Sequence, residues 1–581
     1  EPHPPAAVTE VLSRRVEKLP EATARLLRTA SVVGRDFDLR TLCGATGLDE
    51  DRALDELEPA LDAGLVLDAG GDRFRFAHAL VRDTVYGSLS PSRRSRTHRL
   101  VAEHLEGVPG RETEVALHWF EAGQGHAGRA WRAARTAAEQ ARLVYAYDEA
   151  EDMLRRALAL LDDDPEATTL DEYDVLQHLA TTVQLAGKWL DLRQVVHRMI
   201  ELADWLGDVE LLARAAVMPS NGALWQAADH GKVDEPTAAA LRRALAELPP
   251  EDGPLRCRAM LSLASEIYYG VTAQEREALA EQGLAMARRI GDPALLLSAC
   301  QIAFISTWRA ATAESRLALA DEAIDLARAL GDDSALTSAL TVRAVVAGEL
   351  GDIDTMEQLS AEARLRAERY RQLYSLIVLD SLEVPWIAMR GNWEEAERLT
   401  RHLAATGEKM ALTQYGDAIA GAMLSLGMWQ QRNEEILPLL RARETESDLP
   451  VLPAVVVVLI RLGRLDEARA HLAEHPFDLD ADTWFAMLPW CLAGEIALGL
   501  GDRDLARDAY TRLAPYAGRT CSAGSGVAMG PVDTFLALAA AAAGDADLAA
   551  RHADDARALC RAWRIPLAEQ WLLDKRDQYG F

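Results

Sequence analysis

A short cue recurs along this 581-residue chain and constrains its fold more than any other feature. It is a glycine, then a small polar residue, then an alanine five positions after the glycine. It reads Gly391-Asn-Trp-Glu-Glu-Ala396, Gly463-Arg-Leu-Asp-Glu-Ala468, Gly501-Asp-Arg-Asp-Leu-Ala506 and Gly544-Asp-Ala-Asp-Leu-Ala549. Weaker copies start at Gly187 and Gly351, and Ala146-Tyr147-Asp-Glu-Ala150 ends in the same way. A glycine without Cβ ends a helix in the left-handed conformation at little cost. The Asp or Asn caps the next helix, and the alanine falls where two helices must approach closely. The spacings of 40 (351 to 391), 38 (463 to 501) and 43 residues (501 to 544) predict stacked helical hairpins, an all-α solenoid past residue 107.

Composition narrows the function classes. A hydrophobic fraction of 49% beside 26% charged residues supplies ample core. The longest apolar runs, Val451–Ile460 and Phe535–Ala543, fall short of the ~18 residues of a membrane span. Six dispersed cysteines without a C-x-x-C pair argue for reduced thiols and a cytoplasmic setting. The opening Glu1-Pro-His-Pro-Pro lacks the basic head and apolar core of a signal peptide and, without Met, reads as a fragment or processed chain. Residues 1–106 carry a formal charge of −3 and the remainder −26, which excludes a nucleic-acid backbone as the main partner of residues 107–581.

The first hundred residues follow another pattern. Helical stretches near 6–18, 20–33, 38–46 and 50–63 precede Gly64-Leu-Val-Leu-Asp68, a Gly70-Gly71 turn and Arg73-Phe-Arg-Phe76. Helices followed by a small β wing describe a winged-helix domain. Pro91 opens a further helix to Leu105, with Ser90 placed to cap it. The segment from Ala227 to Cys257 is irregular, apart from a helical 235–247, and reads as a joint. The expected domains are 1–106 (winged helix and following helix), 107–230 (first repeat segment) and 231–581 (second repeat segment).

The repeat cue resembles the tetratricopeptide (TPR) repeat, best from Leu492 to Pro515, where Gly494, Ala506 and Tyr510 match its small and large positions. Val384 and Val456 depart from it, and a repeat near 40 residues rather than ~34 implies longer helices. The stretch Phe74-Arg-Phe-Ala-His78-Ala-Leu-Val-Arg-Asp83-Thr-Val-Tyr86, with Leu89-Ser-Pro-Ser-Arg-Arg-Ser-Arg-Thr-His98-Arg-Leu100, is similar to the winged-helix region of STAND signalling ATPases. Glu266-Ile-Tyr-Tyr269, Ala287-Arg-Arg-Ile-Gly-Asp-Pro-Ala294, Arg316-Leu-Ala-Leu-Ala-Asp-Glu322 and Gly391–Arg398 resemble the repeat regions of large actinobacterial regulators. Those are of the SARP/AfsR type or the LuxR type related to MalT. The resemblance implies the sensor part of a nucleotide-switched transcription regulator, with ATP or ADP bound by a core outside this sequence. His78 would reach the β-phosphate of that nucleotide, although the Met-His-Asp often found there is Ala77-His78-Ala79 here. Some class III nucleotide cyclases share the module, so a cyclase or kinase control region is the enzymatic alternative, and a plain repeat scaffold the third.

No catalytic constellation is evident. G-x-x-x-x-G-K-[S/T], H-E-x-x-H and G-x-S-x-G do not occur, and none of the five lysines lies in a glycine-rich turn. The chain is therefore expected not to be an enzyme and to carry no cofactor or metal of its own. His118, Glu121 and His126 are too irregularly spaced for a metal site. The run Arg82, Arg93, Arg94, Arg96, His98, Arg99 suits docking against the ATPase core better than groove reading, so any DNA contact would come from a domain elsewhere. Aromatics of the repeats (Trp225, Tyr268, Tyr269, Trp308, Tyr374, Trp386, Trp484, Trp490) fill hairpin cores or anchor a ligand on a concave face. Tyr268, Tyr269, Trp308 and Trp386 are the candidates for binding an inducer, either a protein or a small molecule.

Overall fold

Residues 6–226, 230–410, 415–446, 448–475 and 479–581 are described in a computed structural model. The chain divides into two compact units, one through Val183 and one from Gln184 onward. The boundaries expected at 106/107 and 230/231 therefore both fall inside units.

The first unit opens with helices Ala6–Glu17, Glu21–Val33, Leu39–Thr46 and Glu50–Asp62. Three antiparallel strands, β1 (Asp36–Asp38), β2 (Val66–Gly70) and β3 (Arg73–Phe76), lie in the order β1-β3-β2. The Arg-Phe-Arg-Phe of β3 alternates outward arginine with buried phenylalanine, the two-residue period of a half-buried strand. Phe74 and Phe76 pack on Phe37 with ring centroids 5.9 and 5.5 Å apart, against Leu26, Leu27 and Leu57. Asp38 and Asp49 start helices 39–46 and 50–62 by accepting the Thr41 and Arg52 backbone N–H at 2.7 and 3.0 Å. Helix Pro91–Leu105 forms as expected, but the Ser90 hydroxyl makes no cap bond.

Helices Ala127–Leu143 and Tyr147–Leu161 then pair through buried Ala130, Ala134, Ala137, Ala141, Ala150 and Ala157. With so little side chain between them, two backbones can approach closely.

The second unit is a helical repeat with a 40-residue phase. Helices Ala273–Ile290, Ala313–Leu330, Ile353–Arg369 and Trp393–Met410 start forty residues apart. Pro293–Ser306, Asp333–Leu350 and Leu373–Met389 alternate with them at the same period. Every cue glycine from Gly187 to Gly544 sits at positive φ, and Asp352, Asp502 and Asp545 cap the helices that follow. Ala396, Ala468, Ala506 and Ala549 are fully buried, as close helix contact demands. No helix among the described residues is long and apolar enough to cross a membrane.

The alternating helices differ in kind. Ala273–Ile290 has one buried face, whereas thirteen residues of Leu373–Met389 are buried all round. A helix apolar on every side must be covered on every side. The inner cover is the chain itself: Trp484 bonds to the end of one inner helix, and a hairpin, β4 (Thr520–Ala523) with β5 (Val527–Pro531), packs on Asp333–Leu350, Leu373–Met389 and Tyr415–Trp429. This hairpin departs from the all-α solenoid expected past residue 107. Its alternation is masked because both faces are buried, so it carries no polar-outward pattern.

Candidate functional site

The 40-residue phase places Tyr268 and Trp308 at equivalent positions, each at the end of an inner helix. Eight residues on, Arg276 and Arg316 are equivalent too, and both are fully buried. Arg276 lies 4.0 Å over the Tyr268 ring and donates to the Ser306 and Tyr268 carbonyls at 3.0 Å. Arg316 pairs with Glu349 at 2.5 Å and donates to the Arg309 carbonyl at 3.2 Å. Each guanidinium thus ties its own helix to backbone carbonyls beside the aromatic row, Arg276 to Tyr268 and Ser306 and Arg316 to Arg309.

The returning chain is bonded to this row. The Tyr268 hydroxyl donates to the Trp308 carbonyl and accepts the Trp484 backbone N–H at 2.9 Å. Trp484 Nε1 donates to the Tyr269 hydroxyl at 2.7 Å. Trp225 Nε1 donates to Ser525 Oγ at 3.2 Å, and Arg519 donates to the Ala310 carbonyl at 2.8 Å. The four bonds made by Trp484, Arg519 and Ser525 join residues 209 to 300 positions apart.

Between the bonded parts lies a partly open cavity of about 90 Å³. Three stretches wall it: Trp225 to Trp308, Asp417 to Ala454, and Trp484 to Val527. The walls are chiefly apolar, with the rings of Trp225, Tyr269, Trp308, Trp484 and Phe485 prominent. An apolar molecule entering such a space gains ~0.8 kcal/mol per buried methylene. Four methylenes would give about 3 kcal/mol before the cost of immobilising the molecule.

Polar groups are few and placed. His230 stacks near Tyr269, Trp484 and Phe485 at centroid distances of 4.8, 5.7 and 5.9 Å. Burial holds its pKa down to about 4, so the ring is neutral at physiological pH. The Tyr269 hydroxyl accepts from Trp484 Nε1 and also lies 3.3 Å from His230 Nδ1, the two sharing one hydrogen bond. Asp417 is the one charged side chain among the described lining residues, and Arg443 Nη1 lies 3.5 Å from its carboxylate.

The candidate aromatics part company here. Tyr269 and Trp308 line the cavity, and Tyr268 stands directly behind as the clamp on Trp484. Trp386 is elsewhere, 2% exposed in the helix core with its ring 5.8 Å from Trp563. Tyr374 supports the wall by accepting the Trp225 backbone N–H at 3.0 Å, and Trp490 donates to the Leu479 carbonyl at 2.8 Å. Sequence reasoning passed over His230, Asp417, Phe485 and the hairpin tip Gly524-Ser525-Gly526. A Gly-Ser-Gly turn between two short apolar runs was the available signal.

His78 is exposed after β3, as the N-cap of helix Ala79–Gly87, its Nδ1 accepting the Leu80 N–H at 3.2 Å. This leaves Nε2–H facing outward, the tautomer a phosphate contact requires. His118 is buried against His98 with the two Nδ1 atoms 2.8 Å apart, and Tyr86 reaches His98 Nε2 at 3.0 Å. Arg82 and Arg94 sandwich the Tyr86 ring at 4.5 and 4.4 Å, so part of the basic run is structural. Among the described residues Asp533, His552 and Asp555 could approach one ion. Both His552 nitrogens are engaged, however, by Asp533 at 3.1 Å and Tyr510 at 3.2 Å.

No family model matches the chain, and no curated protein matches it. Among solved structures it is similar to a STAND protein with a tetratricopeptide repeat sensor from Pyrococcus horikoshii: 13% identity, TM-score 0.36, 77% of this chain and 67% of that one. It is similar to aspartyl phosphate phosphatase F from Bacillus subtilis at 13% identity and TM-score 0.36, over 59% of this chain and 91% of that one. A circular tandem repeat protein aligns at 15% identity and TM-score 0.14, over 97% and 98%. Similarities this remote assign neither family nor function.

Proposed function

We propose that the chain is the sensing part of a STAND-type ATPase regulator of transcription, of the SARP/AfsR or LuxR-type class. In this reading the helices and strands of residues 6–76 form a winged helix, and the repeats from Gln184 onward are TPR-like. His78 gives its Nε2–H to a nucleotide phosphate held by an ATPase core, ATP and ADP being that core's ligands. The chain itself does no catalysis, and DNA is read by another domain. The resemblance of residues 74–100 and 264–410 supports the regulator class.

One observation carries the sensing role: a single cavity is walled by three stretches far apart in sequence. A ligand there favours whichever arrangement brings the three together, and only such a differential interaction can move a switch. A plain scaffold for extended peptides would keep its inner helices open, whereas here the hairpin Thr520–Pro531 covers them.

Native mass spectrometry on gently purified chain tests the reading. A bound small molecule is expected, lost in Ala420→Phe, which fills the cavity from its lining. The purified chain should neither hydrolyse ATP nor retard DNA in a salt-dependent manner. Hydrolysis by this chain, or an Ala420→Phe variant that keeps the molecule, would defeat the proposal.

A further inference from the structure

Helices Val532–Ala543 and Ala546–Ala562 pack together and gather three side chains of the kinds that bind metals. His552 and Asp555 are three residues apart on the second helix, so they share one face. Asp533 comes from the first turn of the other helix. One ligand atom from each side chain lies within 4.8 Å of the other two. Oxygen and nitrogen ligands bonded to zinc at ~2.0–2.2 Å stand no more than ~4.4 Å apart. Asp555 is the exposed member and can supply the remaining movement.

The surroundings favour a cation. The Asp533 side chain is 4% exposed, and among the described residues neither it nor Asp555 has an Arg or Lys within ion-pair reach. Glu495, 2% exposed, shows the usual arrangement, with Arg461 at 2.8 Å and Lys575 at 3.7 Å. Buried charges are costly unless they are paired or coordinate a metal. Asp533 Oδ2 accepts the Gly518 N–H at 2.6 Å, and Oδ1 lies 3.1 Å from His552 Nδ1. Across the ring, Nε2 lies 3.2 Å from the Tyr510 hydroxyl. A hydroxyl both donates and accepts, so Tyr510 can partner the ring in either tautomer. An ion on Nδ1 leaves the ring proton on Nε2, donated to Tyr510, as outer partners of metal-bound histidines accept it.

We infer that Asp533, His552 and Asp555 bind one divalent transition-metal ion of the zinc class, with water completing its coordination. An imidazole beside two carboxylates suits such ions, whereas calcium and magnesium take oxygen ligands. Two carboxylates and a neutral imidazole also match the charge of a divalent ion. Bound there, the ion joins the two helices and, through Asp533, the Gly518 amide just before the hairpin Thr520–Pro531. Its role is structural and independent of the sensing reading.

The test uses the whole chain carrying His471→Gln and His475→Gln, because those two rings, 5.2 Å apart, offer zinc other nitrogens. Calorimetric titration with zinc is expected to saturate at one ion per chain, and titration with calcium to show no saturable binding. Asp555→Asn removes an exposed ligand, so its urea midpoint without zinc should be unchanged while zinc binds at least ~10-fold more weakly. Tyr510→Phe keeps all three ligands and should weaken zinc by ~10-fold or more through loss of the ring's outer partner. Added zinc should slow hydrogen exchange at Gly518 and along 532–556, and should not do so in Asp555→Asn. Zinc binding that survives Asp555→Asn undiminished, or calcium binding as tight as zinc, overturns the site. Absence of zinc binding reduces the cluster to an Asp–His–Tyr hydrogen-bonded chain and overturns it equally.

Discussion

At the residue scale, buried titratable groups give the two units opposite responses to pH. His98 and His118 are held down to about 3 and about 4, in both cases chiefly by burial, with neighbouring charge (the other histidine and Arg82 for His98, Arg111 for His118) adding to it. Unfolded, each would titrate near 6.5, so as pH falls below that the unfolded state gains protons the native state refuses. The first unit should lose stability progressively from about pH 6.5 towards 4. Glu266 behaves in the reverse sense. Burial, then Asp234, raises it to about 8, with Arg193 opposing, and its Oε1 has no hydrogen-bond partner among the described residues. Between about pH 4.5 and 8 the native state keeps a proton that the unfolded state has lost, so the second unit should weaken progressively across that range and level off above 8. Urea unfolding from pH 5 to 9 checks both, followed by hydrogen exchange to separate the units. Glu266→Gln should flatten this decline between pH 5 and 8, and an unchanged decline would show that Glu266 does not set it. None of these shifts was legible in the sequence, because a histidine or glutamate has no sign of its burial in its neighbours alone. His118 drew attention as a metal candidate, yet its partner is His98, twenty residues earlier.

At the element scale, the glycine cues and their alanines were legible because they report local requirements. A left-handed helix end needs glycine, and Ala506 or Ala549 has no room for more. Gly494 makes the sharper case: a Cβ there would lie 2.9 Å from the Phe535 carbonyl oxygen, where helix Met487–Leu500 crosses Val532–Ala543. Gly494→Val should cost about 1–3 kcal/mol through overpacking, measured as a lower urea midpoint at unchanged slope. A neutral result would mean the two helices have slack the structure does not have. The β4–β5 hairpin was not legible, since a strand buried on both faces lacks the alternation that betrays one. Nor was the pairing of Tyr268 with Arg276 and Trp308 with Arg316, although all four residues were in plain view. Their equivalence emerges only once the 40-residue phase is fixed by the helix starts.

At the scale of the whole molecule, the sequence separated an N-terminal helix-and-strand region from a helical repeat, and the acidic balance pointed away from nucleic acid. What it could not supply was the return of Trp484 and of the β4–β5 hairpin onto the inner helices, because contacts between positions some 200 apart leave no local trace. That return converts an open groove into a cavity and decides which aromatics are available: Tyr269 and Trp308 face it, while Trp386 is spent on the core. The central claim is that the second unit closes its inner face with its own chain around a ligand cavity. Hydrogen exchange on the whole chain tests it most directly. The account predicts that the amides of Thr520–Gly530 exchange as slowly as those of the inner helices. Fast exchange across the hairpin would contradict it.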